Sequence, residues 1–221
     1  PMVQLAVDIM LGKKLSDSKY GTGLWKKQQL VGVKAPVFSM SKLAGVDTYV
    51  GPEMKSTGEV MGLDSNYESA TTKALIASNM MLPDSGSILL SIADQDKENA
   101  IPLINTLHKN SYKIFATQGT AKFINSLGIP VIEINKRLED GNPNVVDIIQ
   151  NSTVDAVVNT VTGDRSVLQD GFHIRRAAVE MRIPCFTSLD TARTASENIS
   201  SRSLNYNVKT IGEYLNNTKQ E

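Results

Sequence analysis

The sequence predicts an α/β fold in which helices cover both faces of a parallel five-stranded sheet, preceded by a smaller unit of mixed helix and strand. Two observations predict it. From residue 88 onward, short apolar runs alternate with helical stretches through short connections, as in sheets buried on both faces. Before that, glycines and prolines interrupt the pattern, and residues 82–87 have the composition of a linker. We therefore divide the chain into residues 1–82, residues 83–200, and a terminal helix and tail at 201–221.

Composition excludes several classes of function. The 221 residues include 23 basic and 23 acidic side chains, a balance that argues against a dedicated nucleic-acid or membrane-surface binder. No apolar run approaches the roughly 20 residues that cross a membrane. The single cysteine, Cys185, rules out an intrachain disulfide and fits a reducing, cytoplasmic location. Its apolar neighbours predict an inert cysteine in a short buried strand rather than a nucleophile.

The first unit is predicted to open with a helix and a strand. Apolar residues at helical spacing indicate a helix over residues 1–11, with Gly12 as its C-cap. A polar stretch punctuated by glycines, residues 13–32, is predicted to be a loop. Residues 33–40 are predicted to form a strand, in which Pro36 favours an edge position because it has no N–H to donate.

The segment 51–62 contains three glycines and a proline, which make a continuous helix unfavourable. Its carboxylates, Glu53 and Glu59, are either ligands for a cation or an amine, or two solvated loop residues. The segment itself does not decide between these alternatives.

A second helix is predicted over residues 64–81. Ser65 can accept a hydrogen bond at its N-terminus, and Glu68 stands three residues later, which is the spacing of a capping box. The helix is expected to end where the linker composition begins.

The second unit supplies the strands and helices of the parallel sheet. Strands are predicted at residues 88–92, 112–116, 130–134, 154–158 and 184–186. Helices are predicted from Asp94 or Asp96 to 109, from 122 to 128, and at 145–150, 172–181, 190–199 and 208–215. Proline is best tolerated in a first turn, so the first of these helices is expected to start late or to be kinked at Pro102.

The segment 115–121 has the composition of an anion-binding turn. It joins an apolar strand to a helix, contains Gly119, and has hydroxyl side chains on either side of that glycine. The first N–H groups of a helix have no partner within it, and the helix dipole favours negative charge there. Alone the motif is weak, and its significance depends on the side chains that follow the other strands.

Ligands of an open parallel sheet bind beyond the carboxyl ends of its strands. The side chains predicted at this edge are Asp94, Asp96 and Lys97 after the first strand, Thr117, Gly119 and Thr120 after the second, Asn135 and Lys136 after the third, and Asn159, Thr160 and Thr162 after the fourth. Each could serve the structure alone, as a cap or a solvated side chain. Together they form a set of donors suited to a phosphate, with amides for a sugar or base.

Other chemistries have less support in the sequence. The two histidines, His108 and His173, have no ligand-spaced partner for a metal. A carboxylate base remains possible near the same edge, from Asp94, Asp96, Glu139 or Asp140. Arg175 and Arg176 are expected to serve packing or an interface rather than the phosphate.

The residues also carry a resemblance to a known family. Residues 51–62, GPEMKSTGEVMG, resemble a signature of the carbamoyl-phosphate synthase large chain near the end of its second ATP-grasp unit. Residues 1–15 and 33–47 resemble the segments that lead up to that signature. Residues 88–199 resemble the C-terminal methylglyoxal-synthase-like domain of the same chain. The resemblance implies a Rossmann-like regulatory domain preceded by an α+β remnant of an ATP-grasp domain.

This family makes carbamoyl phosphate from bicarbonate, ammonia released from glutamine and two ATP, for pyrimidine and arginine biosynthesis. The resemblance implies a UMP-like effector, the rest of the large chain and a glutamine-hydrolysing small chain as partners. It implies ATP with Mg or Mn for the full-length enzyme. Because the nucleotide-binding cores of both ATP-grasp units are absent here, we expect a C-terminal fragment without catalytic residues or a cofactor. The residues that match the family's phosphate and ribose pocket are Lys97, Thr117, Gly119, Thr120, Lys136, Asn159 and Thr160.

Two departures from the family pattern affect binding. Val161 replaces the second threonine of an Asn-Thr-Thr loop, and Thr162 could supply the missing hydroxyl. In some members ornithine binds at the domain junction, where Glu59 and Thr187 resemble parts of the site. Phe186 replaces an aspartate there, which removes a charge that could pair with the ornithine amine and argues against ornithine binding.

Methylglyoxal synthase is the enzymatic alternative. It uses a catalytic aspartate in a Gly-Gly-Asp loop after the third strand, whereas residues 135–144 of this chain lack that motif. The resemblance therefore favours a pocket that retains binding without the chemistry.

Overall fold

The structure is a computed structural model that describes residues 1–24, 27–39, 47, 49, 54–136, 141, 143–161, 165–201 and 206–217. The first unit contains α1 (Met2–Met10), β1 (Val31–Val37), β2 (Gly58–Asp64) and α2 (Tyr67–Ala77). The rest of the described chain contains α3 (Lys97–Lys109), α4 (Gln118–Ser126), α5 (Val145–Gln150), α6 (Arg165–Glu180), α7 (Leu189–Ser201) and α8 (Ile211–Asn217). None of the described helices is long and apolar enough to cross a membrane.

Strands β1 and β2 form a two-stranded antiparallel sheet. Pro36 lies opposite Glu59 in this ladder, and each strand of a two-stranded sheet is an edge strand, as the proline predicts. The sequence pattern does not predict β2, because its glycines, Gly58 and Gly62, favour a loop. Gly62 is required here, because a Cβ atom at that position would lie 1.9 Å from the carbonyl oxygen of Ala70 in α2.

The N-terminus of α2 differs from the prediction. Asn66, rather than Ser65, caps the helix by accepting a hydrogen bond from the backbone N–H of Ser69 at 2.8 Å. Strand β2 continues to Asp64, whose carboxylate accepts the N–H of Ser65 at 2.7 Å. The helix consequently begins later than residue 64, and the predicted capping box is wrong.

The five-stranded parallel sheet has the order β5-β4-β3-β6-β7. Its strands are β3 (Ser87–Ser91), β4 (Lys113–Thr117), β5 (Ile132–Ile134), β6 (Ala156–Asn159) and β7 (Cys185–Phe186). All five predicted strands are present within two residues at each end, and the predicted parallel α/β class is confirmed. The register places the last residue of β3, Ser91, beside the last residue of β6, Asn159.

Apolar side chains fill both faces of this sheet. Successive strand residues point to opposite faces, so Leu90 packs with α2, α3, α4 and α7, whereas Leu89 packs with α5 and α6. The terminal segment also reaches the first unit, because the Lys73 ammonium of α2 donates to the Tyr214 hydroxyl of α8 at 2.6 Å. The boundary placed at residue 82 stays a prediction.

Helix α3 begins at Lys97, so Pro102 lies beyond its first turn. Of the two alternatives for this helix, the late start is therefore wrong, and the kink at Pro102 stays a prediction. Proline cannot donate to the carbonyl of Glu98, four residues earlier, but the buried Leu103 and Leu107 hold the helix against the sheet.

We predict that Gly62→Ala destabilises the protein by about 2 kcal/mol or more, because the new methyl group would meet the backbone of α2. Gly58→Ala is the matched control in the same strand, since a Cβ atom there meets nothing within 4 Å. Urea unfolding followed by circular dichroism measures both variants. Equal stability of the two would show that β2 and α2 do not pack as described.

The ion pair between Asp64 and Lys73, at 2.7 Å, predicts a pH dependence of stability. Burial alone would raise the pKa of Asp64 and lower that of Lys73, but their mutual contact outweighs it. The pKa of Asp64 therefore lies below its usual 3.8, and the pKa of Lys73 lies above its usual 10.5. The pair stabilises the fold between these limits, and its contribution is lost as pH falls through the lowered pKa or rises through the raised one.

Accordingly, Asp64→Asn should cost about 3 kcal/mol at neutral pH, and its difference from the unmodified protein should shrink in acid below about pH 4. Asp8→Asn is the control, because the Asp8–Lys13 pair is exposed and worth at most about 1 kcal/mol. Urea unfolding across a pH series measures both. A difference that does not change with pH would contradict the assignment.

Candidate functional site

The strand order creates a crevice at the carboxyl ends of β3 and β6. These strands are neighbours, but β3 is followed along the chain by β4 on one side, whereas β6 is followed by β7 on the other. Connections that leave neighbouring strands in opposite directions open a crevice where ligands of α/β proteins bind. Lys97 stands just after β3, and Asn159 and Thr160 stand at the end of β6.

A positive end of the crevice forms where Lys97 meets the N-terminus of α4. A Cβ atom placed on Gly119 would lie 3.5 Å from the Lys97 ammonium, so the cation sits against the first turn of this helix. The side chain of the N-cap residue, Thr117, accepts no hydrogen bond from a backbone N–H of that turn. Uncapped N–H groups, the helix dipole and an ammonium group together favour an anion.

Lys97 also forms an ion pair with Asp94 at 2.6 Å. The hydrogen bond and the charge of Lys97 hold the pKa of Asp94 below its usual value, so this carboxylate is ionised at neutral pH. The Asp94 side chain is 94% exposed. An incoming phosphate could replace it at little cost, because an exposed pair of this kind contributes little to stability.

The threonine hydroxyls predicted to bind the ligand also hold the crevice in shape. The Thr120 hydroxyl accepts the N–H of Ile92 at 3.0 Å, and the Thr160 hydroxyl accepts the N–H of Ala93 at 2.8 Å. Thr117 lies 3.4 Å from Thr120, oxygen to oxygen. All three threonines are at most 6% exposed. The bond from Ala93 occupies a lone pair of the Thr160 hydroxyl oxygen. The hydroxyl proton of Thr160 can therefore still be donated to another acceptor, including a ligand.

Asn159 is held by Arg175, a residue that the sequence analysis did not place in the site. Arg175 comes from α6 and is fully buried, and its Nη1 donates to the Asn159 Oδ1 at 2.7 Å. Its Nε and Nη2 donate to the two carboxylate oxygens of Asp47, at 2.9 and 2.7 Å. The expected packing role of Arg175 agrees with this geometry. The only signal in the sequence was one arginine on an apolar face that includes Ile174 and Ala178.

The Asp47 carboxylate is ionised in this arrangement. Partial burial raises its pKa, but the hydrogen bonds from the Arg175 guanidinium and the Tyr49 backbone outweigh that effect and lower it. A bidentate arginine–carboxylate pair is the geometry in which such contacts are strongest. The pair links the first unit to the edge of the five-stranded sheet.

The remaining predicted site residues do not all lie at the crevice. Lys136 is partly buried just beyond β5, which lies two strands away from β3 in the sheet. Thr162 lies outside the described residues, as do Glu139 and Asp140, two of the four candidate bases. Asp96 lines a polar cleft between α3 and α7 that also contains Thr160.

That cleft has a volume of about 610 Å³ and an acidic lining that includes Asp96, Glu98 and Asp190. Arg193, also in its lining, pairs with Asp190 at 3.3 Å. An excess of carboxylates disfavours a phosphate. The phosphate end of a ligand therefore fits better on the side of Lys97 and Gly119.

Glu59 and Thr187, the two residues suggested for a second effector site, lie near one another but have different surroundings. Thr187 lines a largely apolar cavity of about 480 Å³ that also includes Pro36, and Pro36 is the ladder partner of Glu59. Glu59 is exposed and pairs with Lys34 at 2.8 Å. Its role as an effector ligand stays a prediction.

No group of three metal-ligating side chains occurs among the described residues. Cys185 lies in β7, where burial raises the pKa of its thiol to about 12. A thiol with this pKa is protonated at neutral pH and is a poor nucleophile.

Comparison with known proteins gives the following similarities. Residues 99–187 match the MGS-like domain family. A relative from Thermomicrobium roseum, named carbamoyl phosphate synthase large chain, is 44% identical over 214 residues, which are 97% of this chain and 20% of the relative. Relatives of the same name from two Clostridium botulinum strains, Kyoto and Loch Maree, are 45% and 44% identical over 87% and 92% of this chain, and 18% and 19% of their own length. The chain thus spans about a fifth of these curated relatives.

Among solved structures, a methylglyoxal synthase from Elizabethkingia anophelis NUHP1 covers 61% of this chain and 92% of its own. Its TM-score is 0.40 and its sequence identity is 19%.

We predict that Cys185 reacts with iodoacetamide at about pH 8 at least ten times more slowly in the folded protein than in urea, because its thiolate is suppressed by burial. Mass spectrometry of timed samples measures the modified fraction. Equal rates in the two states would contradict the raised pKa and reopen the nucleophile hypothesis.

Proposed function

Because this chain is a homologue of part of the carbamoyl phosphate synthase large chain and contains an MGS-like domain, we propose that it is the regulatory, effector-binding part of such an enzyme. Its ligand is a phosphorylated effector, with UMP as the leading candidate. The effector controls synthesis of carbamoyl phosphate for pyrimidine and arginine biosynthesis.

The observation that carries this proposal is the position of Lys97 at the uncapped N-terminus of α4. A phosphate there receives backbone N–H groups, a favourable helix dipole and a full positive charge. Asn159, the last residue of β6, and Thr160, which follows it, offer hydrogen-bonding groups to a sugar. These features support ligand binding. Among the described residues, no nucleophile is evident beside them.

The catalytic work belongs, under this proposal, to the four-fifths of the relatives that this chain does not span. That part would use ATP with Mg or Mn and would receive ammonia from a glutamine-hydrolysing small chain in the cytoplasm. The described residues offer no three-ligand cluster for such an ion. Under this proposal, the chain receives a regulatory signal and transmits it to a catalytic site in another part of the enzyme.

We predict that UMP binds the unmodified chain in a calorimetric titration and that Lys97→Met weakens the affinity about tenfold or more, because a charge-assisted hydrogen bond is lost. Lys109→Met, at the exposed opposite end of α3, is the matched control and should leave the affinity unchanged. No heat at millimolar UMP, or equal effects of the two substitutions, would contradict the proposal. Turnover of dihydroxyacetone phosphate by the chain would instead support a methylglyoxal synthase.

Gly119→Ala provides a second variant that keeps the fold. Its methyl group would make an ordinary 3.5 Å contact with the Lys97 ammonium, and alanine favours a helix over glycine by up to about 1 kcal/mol. The variant should therefore unfold at the same or a higher temperature but bind UMP more weakly, since the methyl group fills the anion position.

A further inference from the structure

We propose that Arg175 is a positioning residue through which effector binding at the sheet edge and docking of the first unit oppose each other. The docking group is the Asp47 arm, by which we mean Asp47, Tyr49 and Lys55. The inference deepens the proposed function, on which it rests, by assigning a direction to the coupling between this site and the rest of the chain.

The contacts of Arg175 form a direct link between the two parts. Its guanidinium binds both carboxylate oxygens of Asp47 and the side-chain oxygen of Asn159, with distances between 2.7 and 2.9 Å. Asn159 in turn donates from Nδ2 to the Ser91 carbonyl at 3.4 Å, at the end of β3. One buried side chain thus touches the arm and a strand end of the candidate pocket.

The arm is held together by its own hydrogen bonds. The Tyr49 N–H donates to the Asp47 carboxylate at 3.0 Å. The Lys55 ammonium donates to the carbonyl oxygens of Asp47 and Tyr49, at 3.3 and 2.7 Å. The Tyr49 ring lies 6.0 Å from the Arg175 guanidinium and also lines the polar cleft beside Thr160.

Gly171 leaves room for the guanidinium. A Cβ atom at this position would lie 2.5 Å from the Arg175 Nη1 and 3.0 Å from the Asn159 Oδ1. The space around Nη1 and Asn159 is therefore filled closely, and Arg175 has a defined position.

The direction of the coupling follows from charge. Arginine stays protonated, and the Arg175 side chain is fully buried, so its positive charge needs a nearby negative one. Asp47 supplies this negative charge, and its side chain is 33% exposed. An anionic ligand with its phosphate at Lys97 and its sugar at Asn159, which Arg175 contacts, would be attracted by the same positive charge and repelled by Asp47.

The effector and the arm therefore compete for one buried positive charge. By linkage, a bound anion weakens the hold of Arg175 on Asp47, and a released arm raises the affinity for the anion. Structural docking alone, without this competition, predicts that loss of the Asp47 charge affects stability only. Competition predicts tighter anion binding after loss of the Asp47 charge, whereas docking alone predicts no change in affinity.

The test is a double-mutant cycle in the full chain with two probes, UMP and inorganic phosphate, followed by calorimetry. Asp47→Asn, which keeps the shape and removes the charge, should tighten binding of both probes at least threefold. Arg175→Met should weaken binding at least threefold. In the Arg175→Met background, the additional Asp47→Asn change should tighten binding less, because it then removes only the direct repulsion by the carboxylate.

Asp64→Asn is the matched control. It removes a buried carboxylate of the first unit that pairs with Lys73 instead, so it should lower stability without changing either affinity. Unfolding temperatures of all variants identify any that are not folded. If an Arg175→Met variant is not folded, the direction of the affinity change in Asp47→Asn tests the inference.

An unchanged or weakened affinity in Asp47→Asn, or an equal tightening in the Arg175→Met background, would overturn the inference while the proposed function stands. Failure of the unmodified chain to bind UMP, with phosphate still bound and responding as above, would instead overturn the proposed effector and support the coupling. Binding of neither probe would overturn both.

Discussion

The parallel pairing of β3 with both β4 and β6 is the constraint on which the rest of this structure depends. It places Leu89 and Leu90 on opposite faces of the sheet, so that each has its own apolar core. It also aligns the carboxyl ends of the three strands. Because the chain leaves β3 and β6 toward opposite sides, the helices cannot cover that edge completely, and a crevice remains where polar side chains gather.

The crevice is organised by charge. Lys97 and the N-terminus of α4 make one end positive, whereas Asp96, Glu98 and Asp190 make the neighbouring cleft negative. Buried threonine hydroxyls hold the backbone between them by accepting N–H groups after β3. A phosphorylated ligand therefore has one favoured orientation in the proposed site. The buried guanidinium of Arg175 lies below the same edge and connects it to Asp47 of the first unit.

Much of the sheet could be predicted from the sequence, since an apolar run of four or five residues between helical patterns is a local signal. The predictions failed where a partner distant in sequence decides the structure. Strand β2 contains glycines that suggest a loop, but pairing with β1 makes it a strand, and Gly62 is there because α2 approaches closely. The capping prediction at Ser65 failed for the same reason, because β2 extends to Asp64 and moves the start of α2 to Tyr67.

The sequence by itself determined the α/β class, the five parallel strands and the residues that follow them, including Lys97, Gly119 and Thr160. These properties depend on periodicity and on neighbours along the chain. Only the tertiary structure decided that Lys97 meets Gly119, and that Asp47 and Arg175, 128 residues apart, form an ion pair beneath Asn159. The physical reason is that a charged side chain can pair with any opposite charge the fold brings near. Its partner is therefore set by strand order and helix packing, which no local pattern specifies.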